Sequence, residues 1–145
     1  MLPISIRCFP PTIIKHLLVR KTALLIAAFG WTVLVLLLCL VSFSSFPGVG
    51  IKSADKYVHV LFHFVFTILW FLYFQVSVKD ASHVTIALRV VLWSILFGVV
   101  IEMAQAFLTT TRKADPYDVA ANFTGAAIAA LLILSYNRLS KNNID

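Results

Sequence analysis

The chain has 145 residues, of which 61% are hydrophobic and only 12% are charged, and its net charge is +6. Its mean hydropathy of +0.95 lies outside the range of ordinary soluble domains, which excludes that class and indicates lipid as the solvent of the folded chain. A chain of this length forms one compact domain at most, without a large water-filled core. We therefore expect an all-α fold consisting of a single bundle.

Four apolar runs come near the ~20 residues that a helix needs to cross the hydrocarbon of a bilayer. The first run is much longer than the apolar core of a signal peptide and ends without a small-x-small cleavage site, so we expect it to remain as an anchor. The predicted transmembrane helices are Thr22–Phe43, Tyr57–Val78, Val84–Leu108 and Val119–Tyr136.

These spans define a transmembrane domain over residues 22–136. Residues 1–21 are predicted to be a cytoplasmic or interfacial segment, and residues 137–145 a cytoplasmic tail. Eight of the twelve Lys and Arg residues fall on one side of the predicted spans, and the positive-inside rule places that side, with both termini, in the cytoplasm. The other side carries four cations and four acids. The net positive charge thus orients the protein in the membrane and attracts anionic lipids. It gives no reason to expect nucleic-acid binding.

Polar residues occur near the outer ends of three predicted helices. In the second helix Asp55, His59 and His63 recur every four residues, which places them on one helix face. The third helix contributes Gln105 and Glu102, the latter about 9 Å below the outer end at 1.5 Å per residue. Ionisable groups at this depth should face the bundle interior and pair with one another, so they predict a functional site.

The fourth helix completes the set, because it begins with Asp115-Pro116-Tyr117-Asp118 and carries Asn122 one turn after Asp118. Lys56 and Arg112 are the neighbouring cations. The candidate ligand-binding residues are Asp55, Lys56, His59, Glu102, Gln105, Arg112, Asp115, Asp118 and Asn122.

Several of these residues also have a structural interpretation. Asp115 before Pro116 is typical of a helix N-cap followed by proline at the first helical position. Asp118 suits the first turn of a helix through the helix dipole. Glu102 has no such account, because an acid this deep must either be protonated or meet a cation such as Arg112 or His59.

The amides are more typical of helix packing than of catalysis. Gln105 and Asn122 are of the type that forms hydrogen bonds between transmembrane helices. Gly125 and Ala129 form a small-xxx-small pair, which favours close helix contact. These residues are expected to hold the bundle together.

Three segments, taken together, resemble the VanZ-like family of small bacterial membrane proteins. They are Asp55-Lys56-x-x-His59, Glu102-x-x-Gln105-x-Phe107 and Arg112-x-x-Asp115-x-x-Asp118-x-x-x-Asn122-x-x-Gly125, and the resemblance covers about residues 50–135. Two features depart from the family pattern: Thr109-Thr110-Thr111 precede Arg112 where a proline is usual, and His63 stands where an aromatic residue is expected. The family's namesake is associated with resistance to teicoplanin, a lipid-bearing glycopeptide. The resemblance implies a multi-pass protein of the bacterial plasma (inner) membrane that acts in an envelope process through an outward-facing site.

Three functions remain open on the sequence. In the first, the polar pocket binds an anionic or amphiphilic molecule of the outer leaflet, such as a lipid-linked envelope precursor or a lipoglycopeptide, through Arg112 and Lys56. In the second, the protein is a hydrolase or transferase on a lipid-linked substrate, with His59 as general base and Glu102 as acid. In the third, the protein has a structural or assembly role in the envelope. No cofactor is expected, and the metal-assisted form of the second hypothesis would use a zinc ion on His59, His63, Glu102 and Asp118.

Overall fold

The computed structural model of the chain describes residues 11–40, 54–78, 80–108 and 115–142. They form four α-helices and, within these ranges, no strand: α1 (Pro11–Leu40), α2 (Ala54–Ser77), α3 (His83–Leu108) and α4 (Pro116–Asn142). Each helix contains a segment long and apolar enough to cross a membrane, namely Leu18–Leu40, Asp55–Ser77, His83–Leu108 and Pro116–Ser140. The predicted all-α bundle with four helices of transmembrane length is confirmed.

All four helices begin before the predicted spans. α1 begins at Pro11, whereas the predicted span begins at Thr22. Proline suits the first position of a helix, and no further proline or glycine interrupts the chain before Thr22. Residues 11–21 are therefore helical and continuous with the first transmembrane-length helix, and their cytoplasmic or interfacial location stays a prediction. Residues 41–43, the predicted end of the first span, lie outside the described residues.

The helix α2 lies at the centre of the bundle. It contacts each of the other three helices and packs most extensively on α4, whereas α1 contacts α2 and α3 but not α4 within the described ranges. Two tryptophans join α1 to α2: Trp31 Nε1 donates to the carbonyl oxygen of Phe62 at 3.0 Å, and Trp70 Nε1 donates to Thr32 Oγ1 at 3.1 Å. Successive helices run antiparallel, so the first turn of α2 lies at the same end of the bundle as the first turn of α4.

Two glycines allow close approach between helices. A Cβ atom at Gly125 of α4 would collide with the carbonyl oxygen of Val60 on the α2 backbone. A Cβ atom at Gly98 of α3 would lie 2.5 Å from Asn122 Nδ2 of α4. Ala129, one turn after Gly125, is also fully buried. The predicted small-residue pair on α4 therefore lies in a packed helix interface, as expected.

Many large apolar side chains face outward, whereas a set of polar side chains is buried inside the bundle. Ile26, Leu88 and Leu131 are among the exposed large apolar residues. Lipid can solvate such side chains but offers no partner to a charge or an amide, so this distribution suits a bilayer. Together with the four transmembrane-length helices, it makes the chain a multi-pass membrane protein. The buried polar side chains in the described ranges are His59, His63, Thr67, Ser94, Glu102, Gln105, Asp118 and Asn122.

Candidate functional site

Polar side chains of three helices meet at the end of the bundle where α2 and α4 begin and α3 ends. Hydrogen bonds join α2 to α4 through Lys56 and His59, and join α3 to the residue before α4 through Glu102. The sequence predicted that these helices would bring polar groups to one level, and the structure confirms this. We call the following residues the polar cluster: Asp55, Lys56, His59, Glu102, Asp115, Asp118 and Asn122.

Lys56 is held by two carboxylates of the α4 end. Its Nζ donates to Asp115 Oδ2 at 2.8 Å and to Asp118 Oδ1 at 3.1 Å. The ammonium also lies 5.3 Å from the centre of the Tyr117 ring, within the range of a cation–π interaction. The ammonium is thus ion-paired with α4, and the side chain, 38% exposed, remains partly accessible from outside the bundle.

Asp115 is the N-cap of α4, as the sequence predicted. Its Oδ1 accepts the backbone N–H of Tyr117 at 2.9 Å, and its carbonyl oxygen accepts the N–H of Asp118 at 2.9 Å. The other carboxylate oxygen, Oδ2, binds Lys56. The Lys56 ammonium, followed by the Tyr117 N–H, lowers the pKa of Asp115 below its usual range. The two interpretations of Asp115, as helix cap and as site residue, are thus compatible.

His59 is fixed in orientation by Asn122. The His59 ring is 1% exposed, and its Nδ1 lies 3.0 Å from Asn122 Oδ1. With the Asn122 amide placed so that its oxygen faces the ring, Nδ1 is the donor, because an amide oxygen only accepts hydrogen bonds, and Nε2 of a neutral ring then keeps its lone pair. Nε2 faces Asp55 Oδ1 at 4.0 Å. His59 therefore presents a basic nitrogen toward the carboxylates of the polar cluster.

Glu102 ties the end of α3 to the start of α4. Its Oε2 accepts the backbone N–H of Asp115 at 3.0 Å, and the residue is only 4% exposed. Its Oε1 is buried and has no hydrogen-bond partner among the described residues. Arg112, which the sequence offered as a cation for Glu102, lies outside the described residues.

Two predicted candidates lie beside the polar cluster and bond to other helices. Gln105 Nε2 donates to the carbonyl oxygen of Cys39 on α1 at 2.9 Å, which fits its predicted packing role. His63 Nδ1 lies 2.7 Å from Ser94 Oγ on α3. Both side chains are buried, and the bonds described here connect them to neighbouring helices within the bundle.

A subset of the polar cluster has the composition of a metal site. Asp55, His59 and Asp118 each offer one ligand atom, and these atoms all lie within 4.8 Å of one another. His59 and Asp118 are buried, and Asp55 is exposed. This group shares His59 and Asp118 with the zinc ligands considered from the sequence, with Asp55 in place of His63 and Glu102.

Sequence reasoning missed the supporting face of α3. Ser94 bonds to His63, and Gly98 makes room for Asn122. Together with Glu102, these residues recur every four positions, so small or polar residues line one face of an otherwise apolar helix. That spacing is the signal that could have identified them.

The fold and the polar cluster define a class: a small multi-pass helical membrane protein whose buried polar residues converge at one end of a four-helix bundle. No family model matches the chain. No solved structure matches it significantly. The chain is 28% identical over 123 residues to an uncharacterized protein of Schizosaccharomyces pombe, and the match covers 85% of this chain and 69% of the relative. A similar chain thus occurs in fission yeast.

Proposed function

We propose that the chain is a VanZ-like membrane protein that binds an anionic or amphiphilic molecule of the adjacent leaflet at its polar cluster. The protein would then act in an envelope process. The family resemblance implies resistance to a teicoplanin-type lipoglycopeptide as one such process. The observation that carries the proposal is the position of Lys56. An ammonium group has three N–H donors, and Asp115 and Asp118 engage two of them. A partly exposed, oriented cation of this kind suits a phosphate or carboxylate acceptor.

The charge balance of the polar cluster makes Arg112 decisive for this proposal. Among the described residues of the cluster, the one lysine, Lys56, stands beside four acidic residues in all and forms ion pairs with two of them, Asp115 and Asp118. An anionic ligand requires further positive charge. Arg112 lies three residues before Asp115 in the sequence. A guanidinium can bind a phosphate or carboxylate in a bidentate way, which a lysine cannot. The acids of the cluster then orient the cations around the ligand.

The membrane location belongs to the same proposal. The uneven distribution of Lys and Arg supports both termini in the cytoplasm and the polar cluster at the outer face. The bacterial plasma membrane as the location rests on the family resemblance alone, whereas the similar chain described above comes from a eukaryote.

The binding proposal is tested with the purified protein in detergent micelles. The affinity for a labelled teicoplanin-type lipoglycopeptide is compared with that for the same glycopeptide lacking its lipid chain, and anionic lipid is compared with zwitterionic lipid. We expect Arg112→Ala to weaken binding by about tenfold or more, the loss expected for a hydrogen bond to a charged group. Arg138→Gln, which removes an exposed cation near the end of α4, is the matched control and should bind as the wild type does. A folded Arg112→Ala variant with unchanged affinity would overturn the proposal.

Complementation of a strain lacking the protein tests the cellular role. The strain is exposed to teicoplanin and other envelope stresses while it expresses Arg112→Ala, His59→Ala, Glu102→Gln or Asp118→Asn. Variants that are present in the membrane at wild-type levels and inactive support a binding site. Variants that disappear from the membrane in proportion to lost function favour the structural or assembly role instead.

A second candidate function is favoured by the geometry of His59. Its Nδ1 is oriented by Asn122 while Nε2 faces Asp55, which is the arrangement of a general base with an orienting partner. The corresponding activity is hydrolysis of, or group transfer to, a lipid-linked substrate. The test is product analysis by mass spectrometry with wild type and His59→Gln. An enzyme loses turnover in this variant and keeps ligand binding, whereas a binding protein yields no product with either chain.

A further inference from the structure

We propose that Asp55, His59 and Asp118 form a binding site for a divalent transition-metal cation of the zinc type, with Asn122 as a positioning residue. This inference concerns the ion alone and does not depend on the ligand proposed above. One nitrogen and two carboxylates come from two different helices, and their ligand atoms lie within 4.8 Å of one another. Small movements of the exposed Asp55 side chain would bring such atoms to the ~2 Å metal–ligand distances of a zinc site.

The orientation of the His59 ring is the first argument for a metal. A metal-binding histidine donates its other ring N–H to a carbonyl or carboxylate oxygen, which fixes the tautomer that coordinates the ion. His59 has this arrangement, because Nδ1 lies 3.0 Å from Asn122 Oδ1 and Nε2 faces the carboxylates. The distance of 4.0 Å from Nε2 to Asp55 Oδ1 is too long for a hydrogen bond but leaves room for an ion between the two groups.

An unpartnered, buried carboxylate oxygen in the same cluster also favours a bound cation. Glu102 is 4% exposed, and its Oε1 has no hydrogen-bond partner in the described ranges. The Glu102 carboxyl belongs to the same cluster, because its other oxygen accepts the backbone N–H of Asp115, which shares Lys56 with Asp118. A bound dication would compensate several buried or half-buried carboxylates that Lys56 alone cannot neutralise.

The donor set selects the class of ion. An imidazole nitrogen with two carboxylates suits zinc and similar first-row dications, whereas magnesium prefers oxygen ligands only and copper(I) prefers sulfur. Three protein ligands leave a fourth position on a tetrahedral ion for water or for an acidic group of a ligand. Lys56 competes with the ion, because its Nζ lies 3.1 Å from Asp118 Oδ1. Removal of the lysine charge should therefore tighten metal binding.

The test uses the full-length protein in detergent, stripped with a chelator and dialysed against Zn²⁺ or Mg²⁺. Metal content is measured by mass spectrometry and thermal stability by a melting curve, both without any lipid ligand. We expect one zinc per chain, a zinc-dependent rise in Tm and no such rise with magnesium. Asp55→Asn and His59→Gln should lower zinc affinity by about tenfold or more, and Lys56→Gln should raise it. Lys56→Gln is expected to raise the affinity for zinc but to lower the affinity for the anionic ligand of the proposed function. The two proposals can therefore fail separately.

Asn122 and two other histidines complete the test. Asn122→Ala should lower zinc affinity by about 10–100-fold, as is typical when the partner of a ligating histidine is removed, and Asn122→Asp should restore it. His63→Gln, one turn deeper on α2, and His83→Gln, at the start of α3, are matched controls that should retain zinc. The proposal is overturned if folded wild type binds no zinc. It is equally overturned if folded Asp55→Asn and His59→Gln variants bind zinc as the wild type does, or if the two control variants lose it to the same extent.

Discussion

Asp115 combines a structural and an electrostatic role in one residue. One carboxylate oxygen caps α4, the other binds the Lys56 ammonium, and the backbone N–H donates to Glu102. These bonds place the start of α4 against both α2 and α3 at the same point. The N-cap that begins the fourth helix is therefore also the residue that assembles the polar cluster.

The Lys56 and Asp115 pair predicts a specific pH dependence. The neighbouring ammonium lowers the pKa of the Asp115 carboxyl in the folded protein, so the pair stabilises the fold at neutral pH. That stabilisation is lost as the pH falls below the ordinary aspartate value of ~3.9 and through the lower folded value. In Lys56→Met the carboxyl loses the larger, lysine-dependent part of this shift, so the variant should melt below the wild type at neutral pH and the difference in Tm should narrow on acidification.

Melting curves in detergent between about pH 7 and pH 3 check this expectation. Arg20→Met is a suitable control, because Arg20 is an exposed cation on α1, and its effect on Tm should not vary with pH in this window. A Tm difference for Lys56→Met that stays constant down to the lowest pH would contradict the expected coupling.

At the scale of helices, the contact between α2 and α4 sets the geometry of the bundle. Gly125 lies directly against the backbone of Val60, so the two helix axes can approach closely at this level. His59 precedes Val60, and Asn122 lies three residues before Gly125 on the facing helix. The close approach thus brings the two partners of the buried hydrogen bond within reach of each other.

We predict that Gly125→Ala destabilises the protein by about 1–3 kcal/mol, the usual cost of overpacking, because the new methyl group meets backbone that cannot rotate away. Gly30→Ala is the matched control: a Cβ at Gly30 of α1 has no atom within 4 Å. Alanine there should be neutral or stabilise the helix by about 0.5–1 kcal/mol. The measurement is Tm and reversible unfolding in mild detergent. Equal effects of the two substitutions would show that the close contact between α2 and α4 at Gly125 does not determine the stability of the fold.

For the whole molecule, four antiparallel helices place the first turn of α1 and the last turn of α4 at the same end of the bundle. The polar cluster lies at the opposite end. The sequence predicts that the end with the cluster faces outward, because eight of the twelve Lys and Arg residues are assigned to the opposite side of the predicted spans.

Cysteine labelling in intact cells measures this orientation. Tyr117 beside the cluster is 70% exposed, and Leu139 near the end of α4 is 64% exposed, so each tolerates a cysteine. In a background lacking Cys8 and Cys39, a membrane-impermeant maleimide should label Tyr117→Cys from outside and Leu139→Cys only after the cells are permeabilised. The reverse pattern would invert the orientation and place the polar cluster in the cytoplasm.

Much of this architecture follows from local sequence. Hydropathy averaged over one span is a local property, so the presence of four transmembrane-length helices was predictable. The spacing of Asp55, His59 and His63 likewise determined a shared helix face, and Asp115 before Pro116 determined where α4 begins. The early start of α1 was not predicted, because a hydropathy boundary marks the edge of the hydrocarbon and a helix continues past it until a breaker occurs.

The pairing of polar side chains was decided by tertiary structure. Nothing local distinguishes His59, which meets Asn122, from His63, which meets Ser94, because both occupy the same face of α2. The same holds for Gln105, which bonds to the α1 backbone although it lies one turn from Glu102. Which side chains form hydrogen bonds with each other depends on the axial shift and the rotation of one helix relative to its neighbour. Those are set by close contacts such as Gly125 against Val60, which involve residues far apart in the chain.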